Sequence, residues 1–416
     1  MFVFDNAAIF DGTGQPCFAG SVIVEGNRIT KVFRDAAEGI SENALRVDAG
    51  GATLMPGLIE AHGHLGFGST VECVLPLGPH SQELRLLRTA MAARVMLDYG
   101  YTSNYSGGAI NARAEVALRD EIAAGRQIGP RIRACSFERA AEAASVVARP
   151  GGGRTYSGIA DRDSDPAGMR DFVKEMADIG VDTIKMLLSG ESAVVLGTSL
   201  IIQFYDDEVE AATDEARKHG LRLNAHSHSS QSVQMALRHG FDVLYHCTVL
   251  DDETVQALGA HKDRIFVAPG IGVNWFSVNG NWHSATPEKI RQQTETMESV
   301  RELAPKIRGL GVRYLPGGDY GFPHTPIGRN AKDLELFVDY LGIPPLETLH
   351  AATGLGGQIM GMEHELGLIA PGYLADLLLV DGDVTQDVTL LQDRRNIRAV
   401  MKNGRFHKAP AGLPTA

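Results

Sequence analysis

The 416-residue chain is 44% hydrophobic and 22% charged, which excludes disorder, collagen-like structure and coiled coil. Its 39 basic and 51 acidic residues leave a net charge of −12, so nucleic acid is not expected as a partner. Residues 1–6 lack a basic stretch leading into an apolar one, and no later run reaches the roughly 18 apolar residues that span a bilayer, so no membrane partner and a cytoplasmic location are expected. The four cysteines, Cys17, Cys73, Cys135 and Cys247, form no CxxC pair; free thiols in a reducing compartment are expected, and any metal must find other ligands.

In chain order, short β-type runs come first, at 2–4, 7–10, 21–25 and 28–33, with Gly26-Asn27 as a tight hairpin turn. The pattern returns at 375–380, 397–401 and 405–407, where Asn403-Gly404 is a second hairpin signal. The two chain ends are therefore expected to share one small sheet domain. Between them, apolar runs at 58–64, 101–106, 131–137, 182–188, 221–227, 242–247, 264–268 and 312–318 alternate with helical stretches such as 83–98, 206–219, 231–239 and 287–309. Alternating strands and helices imply a parallel sheet. The eight candidate strands match a (β/α)8 barrel better than an open doubly wound sheet, for which no Gly-x-Gly-x-x-Gly marks a first strand-helix turn.

Polar residues within those strands carry the candidate chemistry. In Pro56-Gly57-Leu58-Ile59-Glu60-Ala61-His62-Gly63-His64, a strand period of two puts His62 and His64 on one face, within reach of one ion. Lys185, in Thr183-Ile184-Lys185-Met186-Leu187, is a cationic residue in an apolar strand, where burial is costly without a partner. It reads either as an amine reaching solvent at the strand end or as one that has taken up carbon dioxide to become an anionic carbamate. His226 and His228 repeat the His-x-His spacing, His246 ends the next strand, and Asp319 follows the last in Leu315-Pro316-Gly317-Gly318-Asp319. Each alone suits a core or loop residue; together they fall at the C-terminal ends of five strands, where barrel enzymes place their sites.

On these residues, and on Ala352-Thr353 followed by Gly367-Leu368-Ile369-Ala370-Pro371-Gly372, the chain resembles the metal-dependent amidohydrolase superfamily, in its imidazolonepropionase-like branch of binuclear zinc dipeptidases and ochratoxin-type amidases. The resemblance implies a (β/α)8 barrel over 56–361 and a small β-sandwich from 1–55 and 362–416. It implies one divalent ion on His62, His64 and Asp319, a second on His226 and His246, and carboxylated Lys185 as the bridge, the ions being zinc, with manganese or cobalt as substitutes. The implied reaction is hydrolysis of an amide C–N bond of a small molecule by a metal-bridging hydroxide, with Asp319 moving the proton and His228 contacting the substrate carbonyl. Dipeptidase or carboxypeptidase-like cleavage, ring deamination, cyclic-amide hydrolysis and a non-enzymatic assembly subunit are the alternatives. Gly-Gly-Asp at 317–319, where the family often has Gly-Thr-Asp, and Thr102-Ser103, where it usually has Thr-Thr, are departures.

Both tryptophans, Trp275 and Trp282, follow the seventh strand and are expected, with Phe322 and His324, to line an aromatic pocket; packing against another subunit is the other reading for the tryptophans. The substrate is accordingly expected to carry an aromatic or bulky hydrophobic group. A glycine-rich stretch over 140–166 is expected to form a long loop serving as a lid, and a homo-oligomer is expected.

Overall fold

The computed structural model describes residues 1–35, 37, 41, 43–76, 78–140, 165–191, 198–280, 286–410, 412 and 413. Trp282 and nearly all of the 140–166 stretch lie outside these residues. Among the described residues no helix is long and apolar enough to cross a membrane.

The chain ends do build one mixed sheet. Its strands are β1 (Phe2–Ile9), β2 (Phe18–Glu25), β3 (Arg28–Phe33), β4 (Leu45–Asp48) and β5 (Thr53–Pro56) from the N-terminal end, and β15 (Leu377–Val380), β16 (Ile397–Lys402) and β17 (Arg405–Lys408) from the C-terminal end. The order is β17-β16-β15-β5-β1-β2-β3, with β4 also paired to β1. Both expected hairpins form, around Gly26-Asn27 and Asn403-Gly404. The two opening runs expected at 2–4 and 7–10 are a single strand whose register shifts between Phe4 and Ala7, where Asn6 takes φ 52°. Strands β4 and β5 were not anticipated: each is only four residues long and too short to show a period. Phe4, Ile9, Val22, Leu54, Leu377, Met401 and Phe406 form the apolar core of this sheet.

The middle of the chain holds two arcs of parallel strands. One is β6 (Leu58–Gly63), β7 (Tyr101–Ser106) and β8 (Arg131–Arg133); the other runs in order β14-β13-β12-β11-β10-β9. Here β9 is Cys135–Arg139, β10 Thr183–Leu187, β11 Arg222–Ser229, β12 Val243–Val249, β13 Phe266–Ala268 and β14 Arg313–Tyr314. Expected strand three is thus two pieces, β8 and β9, interrupted at Ala134 and contributing one to each arc. Beyond β14 a parallel bridge joins Tyr320 to Gly63 of β6.

Helices pack on one face of these strands, and their starts follow capping chemistry. Ser81, Asp165 and Thr286 each accept a hydrogen bond from the backbone N–H three residues on, and Pro166 and Pro287 open their helices. The return into the next strand repeats one device: Gly180 and Gly240, at φ 92° and 74°, end helices in the left-handed region, a hydrophobic residue follows, and then an aspartate. Asp182 accepts from the N–H of Ala134 at 2.7 Å and Asp242 from that of Leu223 at 2.8 Å, so each strand start is pinned to its neighbour.

This packing fixes which side chains face the other way. Ile184 and Met186 of β10 and Leu223 and Ala225 of β11 join the large cluster shared with the helices. The alternation of a strand then turns Lys185, Asn224, His226 and His228 to the opposite face. On that face Tyr105, Val243, Tyr245, Phe266 and Ala268 form a second cluster, and the Tyr105 hydroxyl donates to Asn224 Oδ1 at 3.0 Å.

Candidate metal centre

The strand ends bring the candidate residues together in a buried group. His62 comes from β6 and His64 directly follows it; Lys185 lies on β10, His226 and His228 on β11, His246 on β12, and Asp319 in the segment after β14. All seven are buried, Lys185 to 1% exposure. The rings of His226, His228 and His246 lie 4.4 to 4.7 Å apart, and the His62 ring is 5.4 Å from that of His246. Asp319 Oδ1 stands 2.8 Å from His64 Nε2 and 3.6 Å from His62 Nε2. His246 and Asp319 both occupy the left-handed region, at φ 74° and 64°, which non-glycine residues hold only where the surroundings impose it, often at functional sites. At His246 the turn also breaks the strand alternation begun by Val243 and Tyr245.

Among the described residues two donor sets emerge in which all ligand atoms lie within 4.8 Å of one another: His62, His246 and Asp319, and Glu191, His226, His228 and His246. His246 belongs to both. His64 and Lys185 border these sets without entering them: His64 Nδ1 is 2.9 Å from Gly108 O, and Lys185 Nζ is 3.4 Å from His62 Nε2 and 3.8 Å from Glu138 Oε1. Tyr245 forms the floor, stacked on His62 at 3.6 Å with the Lys185 amine 4.3 Å from its ring centre.

The electrostatics suit a cation. Burial holds His62, His226 and His246 well below the ordinary imidazole pKa, and lowers His228 to about 4. Neutral imidazoles are the form that binds metal. Burial alone would raise Asp319, but His62, His64 and Lys185 hold it below the usual carboxylate range. Three buried nitrogens, His62 Nδ1, His228 Nε2 and His246 Nε2, have no hydrogen-bond partner, a costly state that a ligand would relieve. The donor set of imidazoles and carboxylates therefore fits divalent zinc-type ions.

Sequence reasoning missed Glu191, Glu138 and Tyr245. Glu191 follows the Lys185 strand in Ser189-Gly190-Glu191, and its Oε2 lies 3.4 Å from His226 Nδ1; a search for carboxylates just past strand ends would have found it, whereas Glu138 lies within β9. Of the expected aromatic residues, Phe322 lies beside His64 with His324 next to it, and Trp275 lies on a helix. The segment carrying Trp275 is a helix, Ile271–Asn279, rather than a loop; Trp275 packs against the core and Phe276, with the Lys332 amine 4.2 Å from its ring centre. Phe67 and Phe322, 4.4 Å apart, flank His64 at 5.3 and 5.5 Å, and His324 lies 5.9 Å beyond Phe322.

Comparison with known proteins shows the family of the chain. Residues 53–406 match the Amidohydrolase family, and the chain belongs to it. It is 24% identical to ochratoxinase of Aspergillus niger over 377 residues, covering 86% of this chain and 76% of that protein. It is also 24% identical to imidazolonepropionase of Streptomyces avermitilis over 372 residues, covering 87% and 80%. A crystal structure of a Xaa-Pro dipeptidase with bound methionine in its active site superposes with a TM-score of 0.83 at 23% identity, covering 98% of this chain and all of that one.

Proposed function

We propose that this protein is a binuclear metal-dependent hydrolase that cleaves the amide C–N bond of a small molecule carrying an aromatic or bulky hydrophobic group. The observation that carries the reading is the buried convergence of His62, His226, His228, His246 and Asp319, three of whose nitrogens lack partners. In this reading the two arcs, joined through residues 131–139 and by the Gly63–Tyr320 bridge, close into an eight-stranded barrel over 56–361, with 1–55 and 362–416 as a small β-sandwich. His62, His64 and Asp319 would hold one ion and His226 and His246 the other, with carboxylated Lys185 between them; Glu191, grouped with His226 and His246, would be a further donor to the second. The cytoplasm and a homo-oligomeric state complete the proposal.

Divalent ions held there would supply Lewis acidity, acidifying water and polarising a carbonyl. The residues do the rest. Asp319, kept ionised by its imidazole neighbours, accepts the proton of the attacking water and returns it to the leaving amine. His228, whose Nδ1 lies 2.8 Å from Thr248 Oγ1, has its Nε2 unpartnered and ready to contact the substrate oxygen. Phe67 and Phe322 supply an apolar wall beside His64.

Zinc-loaded protein offered a panel of N-acyl amino acids, dipeptides, aryl amides and amino-substituted heterocycles tests this, with products identified by mass spectrometry. Cleavage of aryl amides that stops on chelation and returns with zinc is the expected result. Ammonia release from the heterocycles with every amide intact would replace this reading by ring deamination.

A further inference from the structure

We propose that Asp333 is a positioning residue for Asp319, holding the Gly317 backbone on one side of that carboxylate and the Tyr320 hydroxyl on the other. Asp333 Oδ2 accepts from the Gly317 N–H at 3.1 Å, and its Oδ1 accepts from the Tyr320 hydroxyl at 2.9 Å. Between these two anchors sits Asp319, held at φ 64° with its own carbonyl accepting from Thr325 Oγ1 at 3.1 Å. Both Asp333 and Tyr320 are fully buried, so the clamp is sheltered from water. Gly318 is the residue the clamp requires: a Cβ there would collide with Asp333 Oδ1 and Tyr320 Cε2, and one at Gly272 would also meet Asp333 Oδ1.

The same short segment also reaches the strand that presents His62. Asn330 donates to Glu60 Oε2 at 2.7 Å, and Glu60 Oε1 accepts from the backbone N–H of His62 at 2.9 Å. The Tyr320 carbonyl, in turn, accepts from the N–H of His64 at 2.7 Å. Residues 330–333 thus brace the strand that presents His62 and the loop that presents Asp319 against each other. Asp333 lies outside both donor sets, so its effect is exerted through the position of Asp319.

This inference rests on Asp319 belonging to the proposed metal centre, and its test separates the two. Asp333→Asn exchanges one acceptor oxygen for a donor, and Tyr320→Phe removes only the hydroxyl, so the second variant serves where the first does not fold. Zinc affinity is read by competition with a chromophoric chelator, the visible absorption of the cobalt-loaded protein reports coordination geometry, and thermal unfolding of the metal-free protein reports stability. The expected result is a 10- to 100-fold loss of affinity at one site, the usual effect of removing a residue behind a ligand. A shifted cobalt spectrum and little change in metal-free unfolding should accompany it. Folded variants with wild-type affinity and spectrum overturn the proposal, as do variants that merely unfold earlier with metal binding intact. Wild-type protein that binds no zinc removes the metal reading, and the inference with it.

Discussion

Asp319 and His228 show how one buried centre sets different protonation states. In the metal-free protein with Lys185 as the free amine, His62, His64 and Lys185 outweigh the cost of burial and keep Asp319 a carboxylate. Asp319→Asn keeps one oxygen for a metal but cannot accept the proton, so turnover should fall by about 10²–10⁴-fold while metal content holds. Near-normal turnover at full occupancy would assign proton transfer to another group. For His228 burial works the other way, lowering its pKa to about 4 from an ordinary value near 6.5. Protonation is therefore postponed until the pH approaches 4, and ring nitrogen chemical shifts of the metal-free protein at pH 5.5 should show His228 neutral. A protonated ring at that pH would mean the pocket admits water that the packing excludes.

Each side chain reaches the centre because an element delivers it, and the delivery is set at the far end of the strand. Asp242 pins β12 to β11 through the Leu223 N–H, and Asp242→Ala would leave that amide without its acceptor. The expected cost is about 1–3 kcal/mol, read as a lower denaturant midpoint with an unchanged slope. A midpoint equal to wild type would show that water or a neighbour substitutes for the carboxylate. These elements differ in how far sequence exposed them. Strands β10 and β11 were legible because apolar residues alternate there with Lys185, Asn224 and His226. Strand β14 is only Arg313–Tyr314, so the apolar run expected over 312–318 overstated it; Pro316, lacking an N–H, cannot extend the ladder as a donor. Trp275 was less legible: clustered aromatics after a strand suit a loop and a helix equally, and here the segment is the helix Ile271–Asn279. Glu191 is marked in the sequence only by its place just past a strand end, and Asp333 by nothing local. Their roles arise from contacts with His226 on the next parallel strand and with Gly317 and Tyr320 sixteen and thirteen residues before Asp333.

Over the whole molecule, a sheet built from both chain ends stands beside parallel strands that gather seven buried polar residues at one end. Burying five imidazoles, a carboxylate and a lysine together is expensive without a ligand to satisfy them. Family membership and the unpartnered nitrogens both point to metal as that ligand. The most direct measurement is elemental analysis of protein produced in zinc-supplemented medium, repeated on a Lys185→Ala variant. The account predicts about two zinc ions per wild-type chain and a clear loss in the variant. One ion or fewer in the wild type, or two in both proteins, would contradict a binuclear centre bridged through Lys185.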